Sequence, residues 1–230
     1  MAIQYQENGR IFTLHTDHST YQMKADSYGN LLHLYYGDRT EGSMEYLLTF
    51  GDRGFSPNPY EAGDDRTYSL DALPQEYPHQ GSGDFRSPAL AVEQADKSYG
   101  LNLRYGGYEI SKGKYSLPGL PSMYGEGLED AESLKIRLTD QVSGLLLYGV
   151  FPGYDIITRA VCVKNEGNGP AALKRVYSAC LDFLHGEYDL IQFYGRHAME
   201  RNFQRTALCH GAQVIGSRRG TSSHQYNPFL

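Results

Sequence analysis

Polar and apolar residues alternate along Glu132-Ser133-Leu134-Lys135-Ile136-Arg137-Leu138. Successive side chains of a β-strand point to opposite faces, so a period of two predicts a strand with one buried face. The same pattern recurs in Leu101-Asn102-Leu103-Arg104-Tyr105 and in Ile11-Phe12-Thr13-Leu14-His15. Almost no segment places apolar residues at positions i, i+3, i+4 and i+7, as an amphipathic helix would. The sequence therefore predicts an all-β protein with little helix.

Further strand candidates follow one another at short spacing, separated by turn formers. These candidates are residues 20–24, 31–36, 144–150, 156–164, 173–182, 190–194 and 213–217. The turn Asn165-Glu166-Gly167-Asn168-Gly169-Pro170 lies between two of them and predicts a hairpin. Many short strands joined by Gly-rich turns are typical of a large antiparallel β-sandwich.

The composition argues against nucleic acid and membranes as partners of this protein. The 230 residues carry 21 Lys+Arg against 27 Asp+Glu, a net charge of −6, so no basic field attracts nucleic acid or an anionic membrane. Apolar runs are only a few residues long, whereas a membrane helix needs about 20. The N-terminal residues have neither the basic region nor the apolar core of a signal peptide, so a cytoplasmic location is expected.

Metals and cofactors are not expected. The three cysteines, Cys162, Cys180 and Cys209, show no ligand spacing and are predicted to be buried, unreactive thiols. The eight histidines form no HxH or HExxH motif. Gly81-Ser82-Gly83 precedes Asp84 and Phe85 where a dinucleotide site needs a helix, and no Gly-Lys-Ser/Thr occurs.

Residues 51–88 break the strand rhythm, and we call them the Pro/aromatic segment. The segment is polar, rich in proline and aromatic residues, and shows no alternation. A loop of this length inside a compact domain is usually functional or disordered, and its aromatic residues favour order. Stiffening by its prolines lowers the entropy lost on docking, so residues 55–85 are predicted to contact a neighbouring surface. The alternative is a packed surface loop that closes one end of the sandwich.

This segment carries a resemblance to a known family. Phe55-Ser56-Pro57-Asn58-Pro59, Leu73-Pro74-Gln75-Glu76-Tyr77-Pro78 and Gly83-Asp84-Phe85-Arg86-Ser87-Pro88-Ala89 resemble the N-terminal domain of glycoside hydrolase family 36 α-galactosidases. Later blocks agree in order, at residues 113–114, 119–121, 155–159, 187–189, 195–201 and 217–229. The resemblance covers nearly the whole chain.

The resemblance implies a β-supersandwich that precedes a (β/α)8 catalytic barrel. In the family both catalytic carboxylates lie in the barrel, the nucleophile in a Lys-Trp-Asp-type strand end, and this chain contains no Trp. Residues 1–230 are thus expected to form a single non-catalytic N-terminal domain of a longer enzyme. The implied enzyme is a retaining α-galactosidase that acts on melibiose-type and raffinose-type substrates as a dimer or tetramer.

Three substrate-binding residues follow from the resemblance. Asp52 stands three places before Phe55, where the family has an Asp that reaches into the galactose pocket. Arg66 is the candidate that would hold this carboxylate or its loop, because a guanidinium fork suits a planar oxygen pair. His197 matches a position where several members place a Trp against the galactose. The alternative is that Asp52 caps a turn before Gly54 and Arg66 is a solvated cation.

The other candidate catalytic or binding residues are predicted to have no part in chemistry. The sequential pairs Asp64-Asp65 and Glu129-Asp130 are predicted to be solvated turn residues, since a retaining glycosidase needs carboxyl groups about 5 Å apart. His15 and His33 are predicted to face solvent from alternating strands. Ser222-Ser223-His224 is rejected as part of a triad because neighbouring residues point apart. A different class of function, a stand-alone carbohydrate-binding or mutarotase-like sandwich, stays open, as does a purely structural role.

Overall fold

The computed structural model describes residues 1–52, 54, 58–120, 130–183, 186–216 and 218. The chain divides into two compact units, Met1–Asp182 and Phe183–Leu230. The described residues form twelve strands: β1 Ile3–Gln6, β2 Ile11–His15, β3 Ser19–Ala25, β4 Leu31–Asp38, β5 Leu90–Glu93, β6 Arg104–Lys112, β7 Glu132–Thr139, β8 Val142–Phe151, β9 Ile156–Asn165, β10 Ala172–Val176, β11 Asp189–Arg196 and β12 Met199–Ala207. Their only helices are one-turn 3-10 segments, Glu45–Leu47, Tyr60–Ala62 and Pro152–Tyr154, so the all-β prediction is confirmed. None of them is long and apolar enough to cross a membrane.

Every strand pair is antiparallel. In the first unit, β1-β2-β3-β4 form one sheet, β6-β7-β8-β9 form a second, and β10 pairs with β5. The second unit contains the hairpin β11-β12. Short turns join sequential neighbours in the first sheet, and they also join β7 to β8 and β8 to β9, as the turn-rich sequence predicts. Between β6 and β7 the chain has the longer connection 113–131.

The main core joins the two four-stranded sheets through the faces that alternation makes apolar. Phe12, Leu14 and Met23 of the first sheet belong to the same buried cluster as Leu134 and Leu146 of the second. All five side chains are fully buried. Burial of such a side chain contributes about 1.5–3 kcal/mol, so these two faces hold the sandwich together.

The opposite face of the first sheet is covered by the Pro/aromatic segment. Leu32 and Leu34 of β4 share a second buried cluster with Tyr68, Leu70 and Leu73. The segment is thus a packed third layer on the first sheet, held in place by its own apolar residues.

Several strand assignments from the sequence were wrong. The turn at residues 165–170 does not close a hairpin, because β9 pairs with β8 along its whole length while β10 pairs with β5. The buried strand β8 offers β9 a ten-residue apolar partner, and the connection carries the chain away to another sheet. The strand expected over 173–182 ends at Val176, and the strand expected over 101–105 begins only at Arg104. Of the strand expected over 213–217, residues 213–216 are irregular and Ser217 lies outside the described residues.

The cysteine burial prediction was wrong for two thiols. Cys162 and Cys209 are exposed and Cys180 is half-buried, and all three are free. Cys162 faces outward because its neighbours Val161 and Val163 on β9 pack against the core. Burial raises the pKa of the Cys180 thiol to about 11.

The solvent-facing prediction for His15 and His33 was also wrong, since both are buried. The first sheet is covered on both faces, so alternation there separates two interior layers. His15 Nδ1 lies 3.0 Å from Thr20 Oγ1, which satisfies the ring in the interior.

His79 is a buried histidine that should make stability depend on pH. Its Nε2 accepts a hydrogen bond from the Leu103 amide at 3.2 Å. Burial, followed by the charge of Arg104, lowers its pKa to about 4 from an ordinary value of 6.5. The folded state therefore favours the neutral ring, and the stability this gives is complete above pH 6.5 and declines as the pH falls toward 4.

We expect the urea concentration at the midpoint of unfolding to decrease as the pH is lowered from 6.5 to 4. In His79→Gln this decrease should be smaller. Burial also lowers the pKa of His15, so some pH dependence should survive the substitution. His197→Gln, at an exposed position, is the matched control and should leave the profile unchanged. A His79→Gln profile identical to that of the parent chain would contradict the assignment.

Candidate functional site

Asp52 and Arg66 meet in the Pro/aromatic segment. Arg66 Nη2 lies 3.2 Å from Asp52 Oδ1, and the same nitrogen donates to the Gly54 carbonyl at 3.2 Å. The Gly54 amide donates to Asp52 Oδ1 at 2.8 Å, and Gly54 has a φ of 69°, which suits glycine. Asp52 therefore caps the turn before Gly54 and also pairs with Arg66. Its place in a galactose pocket stays a prediction.

The pair is oriented yet open to solvent. The side chains of Arg66 and Asp52 are 62% and 55% exposed. Within the described part of the chain, Asp52 Oδ2 accepts no hydrogen bond from the protein. One carboxylate oxygen is fixed by the turn and by Arg66, and the half-exposed side chain leaves the other available to accept a hydrogen bond from a hydroxyl.

The residues around Arg66 are held by local hydrogen bonds. Asp65 Oδ1 accepts from the Thr67 amide at 2.9 Å and from its hydroxyl at 2.6 Å, and these bonds lower the pKa of Asp65. Asn58 Nδ2 donates to the Asp65 carbonyl at 3.0 Å. The buried Tyr68 that follows donates its hydroxyl to Asp26 and accepts from Asn30 at 2.6 Å. The Arg66 backbone is thereby anchored to the first sheet.

A second clamp holds the far end of the segment. Arg86 donates from Nε to Asp84 Oδ1 at 2.9 Å and from Nη2 to Asp84 Oδ2 at 2.8 Å, a bidentate pair. Arg86 Nη2 also donates to the Leu73 carbonyl at 2.7 Å. Burial raises the pKa of Asp84, but the hydrogen bonds from Arg86 outweigh it and the net shift is downward.

His197 lies in the second unit, at the tip of the β11-β12 hairpin. Arg196 pairs with Met199, so His197 and Ala198 form a two-residue turn. Its side chain is 95% exposed, and Nδ1 lies 4.0 Å from Glu200 Oε1. The structure brings Asp52 and Arg66 together, while His197 belongs to the other unit.

A buried charged cluster surrounds Glu76, and no local motif in the sequence indicates it. The carboxylate accepts hydroxyl hydrogen bonds from Tyr21 at 2.7 and 2.8 Å and from Tyr148 at 2.6 Å. Arg159 Nη1 lies 2.8 Å from Glu76 Oε1, and its Nη2 donates to the Glu76 carbonyl at 2.8 Å. His33 Nδ1 lies 3.3 Å from Glu76 Oε2. This cluster ties the Pro/aromatic segment to both four-stranded sheets.

The surroundings of Glu76 favour its charged form. Burial raises its pKa, but the charge of Arg159 and the hydrogen bond from His33 outweigh burial, so the pKa lies below its ordinary value. Burial and the Glu76 carboxylate raise the pKa of Tyr21. Glu76 and Arg159 both lie inside blocks of the family resemblance, which is the one sequence signal that singles them out.

The sequential carboxyl pairs offer no catalytic arrangement that the structure can support. Asp64 and Asp65 are both exposed in a turn, as predicted. Glu129 lies outside the described residues, as does Ser222-Ser223-His224. Among the described residues, no group of three or more His, Cys, Asp or Glu side chains is arranged to hold a metal ion.

Comparison with known proteins shows to which class of protein the chain belongs. The domain family described as "Glycosyl hydrolase family 36 N-terminal domain" matches residues 29–230. The bifunctional α-galactosidase/sucrose kinase AgaSK of Mediterraneibacter gnavus is 56% identical over 233 residues, which cover 100% of this chain and 25% of the relative. The α-galactosidase AgaA of Geobacillus stearothermophilus is 39% identical, over 100% of this chain and 32% of the relative.

Solved structures agree with these relatives. The galactosidase domain of AgaSK superimposes with a TM-score of 0.93 at 55% identity, covering 99% of this chain and 32% of that one. A variant of AgaA in complex with raffinose superimposes with a TM-score of 0.88 at 38% identity, covering 95% and 31%. The fold and these likenesses define a β-sandwich domain of the α-galactosidase class. The chain belongs to glycosyl hydrolase family 36, of which it is the N-terminal domain, and it spans about a third or less of these relatives.

Proposed function

We propose that residues 1–230 form a single N-terminal β-supersandwich domain, followed by a catalytic barrel, in a retaining α-galactosidase. The family match runs through both compact units, which supports treating them as parts of one domain. The substrates proposed are terminal α-galactosides of the melibiose and raffinose type. Support comes from the AgaA variant, whose structure holds raffinose. The cytoplasmic location stays a prediction.

The observation that carries the proposal is the open Asp52 carboxylate. A charged acceptor makes hydrogen bonds about twice as strong as a neutral one, and two carboxylate oxygens can bind two hydroxyls. Galactose differs from glucose in an axial hydroxyl, so a fixed acceptor beside that edge helps to discriminate between the sugars. Arg66 acts as a positioning residue, because its contacts hold the Asp52 carboxylate and the Gly54 turn in one geometry.

Two further contributions belong to the same proposal. His197 contacts the sugar from its exposed position at a hairpin tip, where an imidazole can stack weakly or donate a hydrogen bond. Residues 55–85 contact a barrel in the same chain or in a neighbouring subunit of a homo-oligomer. Tyr60 and Phe85, both strongly exposed on this packed segment, support such a contact.

In the full-length enzyme, Asp52→Ala should lower kcat/KM for an α-galactoside roughly 5- to 150-fold, the equivalent of about 1–3 kcal/mol for a lost charge-assisted hydrogen bond. Folding should be retained because Asp52 is exposed. The measurement is steady-state hydrolysis of a nitrophenyl α-galactoside, with thermal unfolding recorded in parallel.

Asp64→Ala is the matched control, since Asp64 is an exposed carboxylate of the same segment. We expect its kcat/KM to equal that of the parent enzyme. If Asp52→Ala also kept the parental kcat/KM, Asp52 would have only the role of a turn cap. Titration of the 230-residue chain with galactose tests the alternative, because measurable affinity without a barrel would favour a stand-alone binding module.

A further inference from the structure

Residues 85–92 and 172–182 run antiparallel and form one continuous strip of surface, which we call the β10 ribbon. Strands β5 and β10 pair within it. The pairing continues beyond the strands, because the Tyr177 amide donates to the Ala89 carbonyl at 2.9 Å. Further along, Arg86 Nη1 lies 3.2 Å from Asp182 Oδ2. The ribbon is therefore a defined structural element and extends well past the five residues of β10.

One edge of this ribbon is open. In the described part of the chain β10 pairs with β5 alone, so the backbone groups on its far side meet no further strand. Open edges of this kind can accept an added strand, and proteins usually cover them or protect them with charge. Strand β6 is a comparable edge in the second four-stranded sheet, apart from its Tyr105 amide, which donates to the Gly29 carbonyl at 2.7 Å.

The ribbon also exposes a concentration of large apolar side chains. Leu173 is 54% exposed, Val176 41%, Tyr177 49%, Leu181 44% and Phe85 80%. By contrast, nine of the ten residues of β8, in the second four-stranded sheet, are buried. Contiguous exposed apolar surface beside an open strand edge marks an interaction site.

The ribbon is held in shape before any partner binds. Tyr77 donates its hydroxyl to the Tyr177 carbonyl at 2.9 Å, and Arg159 Nη1 donates to the Cys180 carbonyl at 3.2 Å. Both donors are anchored in the core of the first unit. A surface fixed in this way loses little conformational entropy on docking, which favours affinity.

The charged residues along this edge indicate which chemical groups a docking partner needs. A groove of about 740 Å³ beside β10 is lined by Phe85, Tyr99, Lys174 and Arg175, among others. Lys174 shares Glu93 with Lys97, and no carboxylate among the described residues forms an ion pair with Arg175. Antiparallel pairing of β10 with a second copy of itself would bring these cations together, which disfavours a self-paired edge.

We propose that the β10 ribbon is the docking surface for the rest of the polypeptide, the part that lies outside the matched third of the family relatives. The docking segment presents apolar side chains to Val176, Tyr177 and Leu181 and a carboxylate to Arg175. This inference rests on the proposal that the chain is one domain of a longer enzyme. It identifies the face of the domain that the remainder of the polypeptide covers.

Hydrogen exchange of the full-length protein tests the proposal. The β10 amides that β5 leaves unpaired should exchange at least tenfold more slowly than the edge amides of β6 other than that of Tyr105, which serve as the internal control. Val176→Asp should remove this protection and leave exchange in β6 unchanged. Leu120→Asp, a matched substitution at an exposed leucine outside the ribbon, should preserve it.

Equal exchange in β10 and β6, or protection that survives Val176→Asp, would overturn the proposal. Protection that rises with protein concentration, together with a doubled mass in sedimentation, would assign the ribbon to a second copy and overturn the stated occupant. Because exchange is measured without substrate, an inactive full-length protein that still protects β10 would contradict the proposed activity and leave the docking surface supported.

Discussion

Replacement of Glu76 by Ala is expected to lower the free energy of unfolding by about 3–5 kcal/mol, because it leaves a buried cation without its partner. Glu76 is fully buried, and Arg159 beside it is nearly so. The substitution also leaves the hydroxyls of Tyr21 and Tyr148 without their acceptor. Each unsatisfied buried polar group costs about 1–3 kcal/mol, so the effect should exceed that of any exposed ion pair.

Urea unfolding at pH 7 measures this effect. Glu109→Ala is the matched control, since Glu109 is an exposed carboxylate 3.2 Å from Lys135 Nζ. An exposed pair of this kind contributes about 0–1 kcal/mol. Arg159→Met should be as damaging as Glu76→Ala, because it leaves the buried carboxylate unpaired. If Glu76→Ala cost no more than Glu109→Ala, the cluster would have no special role in joining the layers.

The buried cluster around Glu76 could not be predicted from local patterns in the sequence. Tyr21, Tyr148 and Arg159 lie 55, 72 and 83 residues from Glu76 along the chain. No local spacing connects residues so far apart, and only the packing of two sheets and a long segment brings them together. The histidine error has the same origin, because alternation separates the two faces of a strand but does not show that both are covered.

Periodicity predicted most strands correctly because most of them have one apolar and one more polar face. It missed β1, which offers only the four residues Ile3–Gln6, too few to establish an alternation. It also missed β12, Met199–Ala207, where eight of nine residues are exposed and no apolar face marks a strand. It missed β5, where Leu90, Ala91 and Val92 are all buried and no alternation remains. It also placed β10 in a hairpin with β9, since the pattern predicts strands but not which strand pairs with which.

The candidate site came from the family resemblance, and the structure added its geometry. Residue types alone do not distinguish Asp52 from the exposed carboxylates Asp64 and Asp65 nearby. Contact with Arg66 and with the Gly54 amide distinguishes it, and both contacts depend on the conformation of a segment without regular strands. For His197 the structure adds little to the resemblance, because the side chain lies at a hairpin tip, 4.0 Å from Glu200 Oε1.

The 230-residue chain should release no nitrophenol from a nitrophenyl α-galactoside, whereas the full-length enzyme should turn over many times. Retaining hydrolysis needs two carboxyl groups about 5 Å apart, one nucleophilic and one protonated. The buried carboxylates Asp26, Glu76 and Asp84 are each engaged, with Tyr68, Arg159 and Arg86 respectively. Glu76 and Asp84 are held as carboxylates by their arginines, so neither is a proton donor near neutral pH. Asp26 is occupied by hydrogen bonds from Tyr68 and the Asn30 amide inside the fold.

The assay compares the purified chain with the full-length enzyme at equal molarity, and a heat-inactivated sample of the chain sets the background. Asp52→Ala of the same chain is included, because a real but weak activity of this domain would have to bind galactose. Turnover above background in the chain, reduced by Asp52→Ala, would show that the domain carries catalytic groups of its own. Release equal to background is the result we expect, since the Asp52–Arg66 pair can bind a hydroxyl but supplies neither nucleophile nor acid.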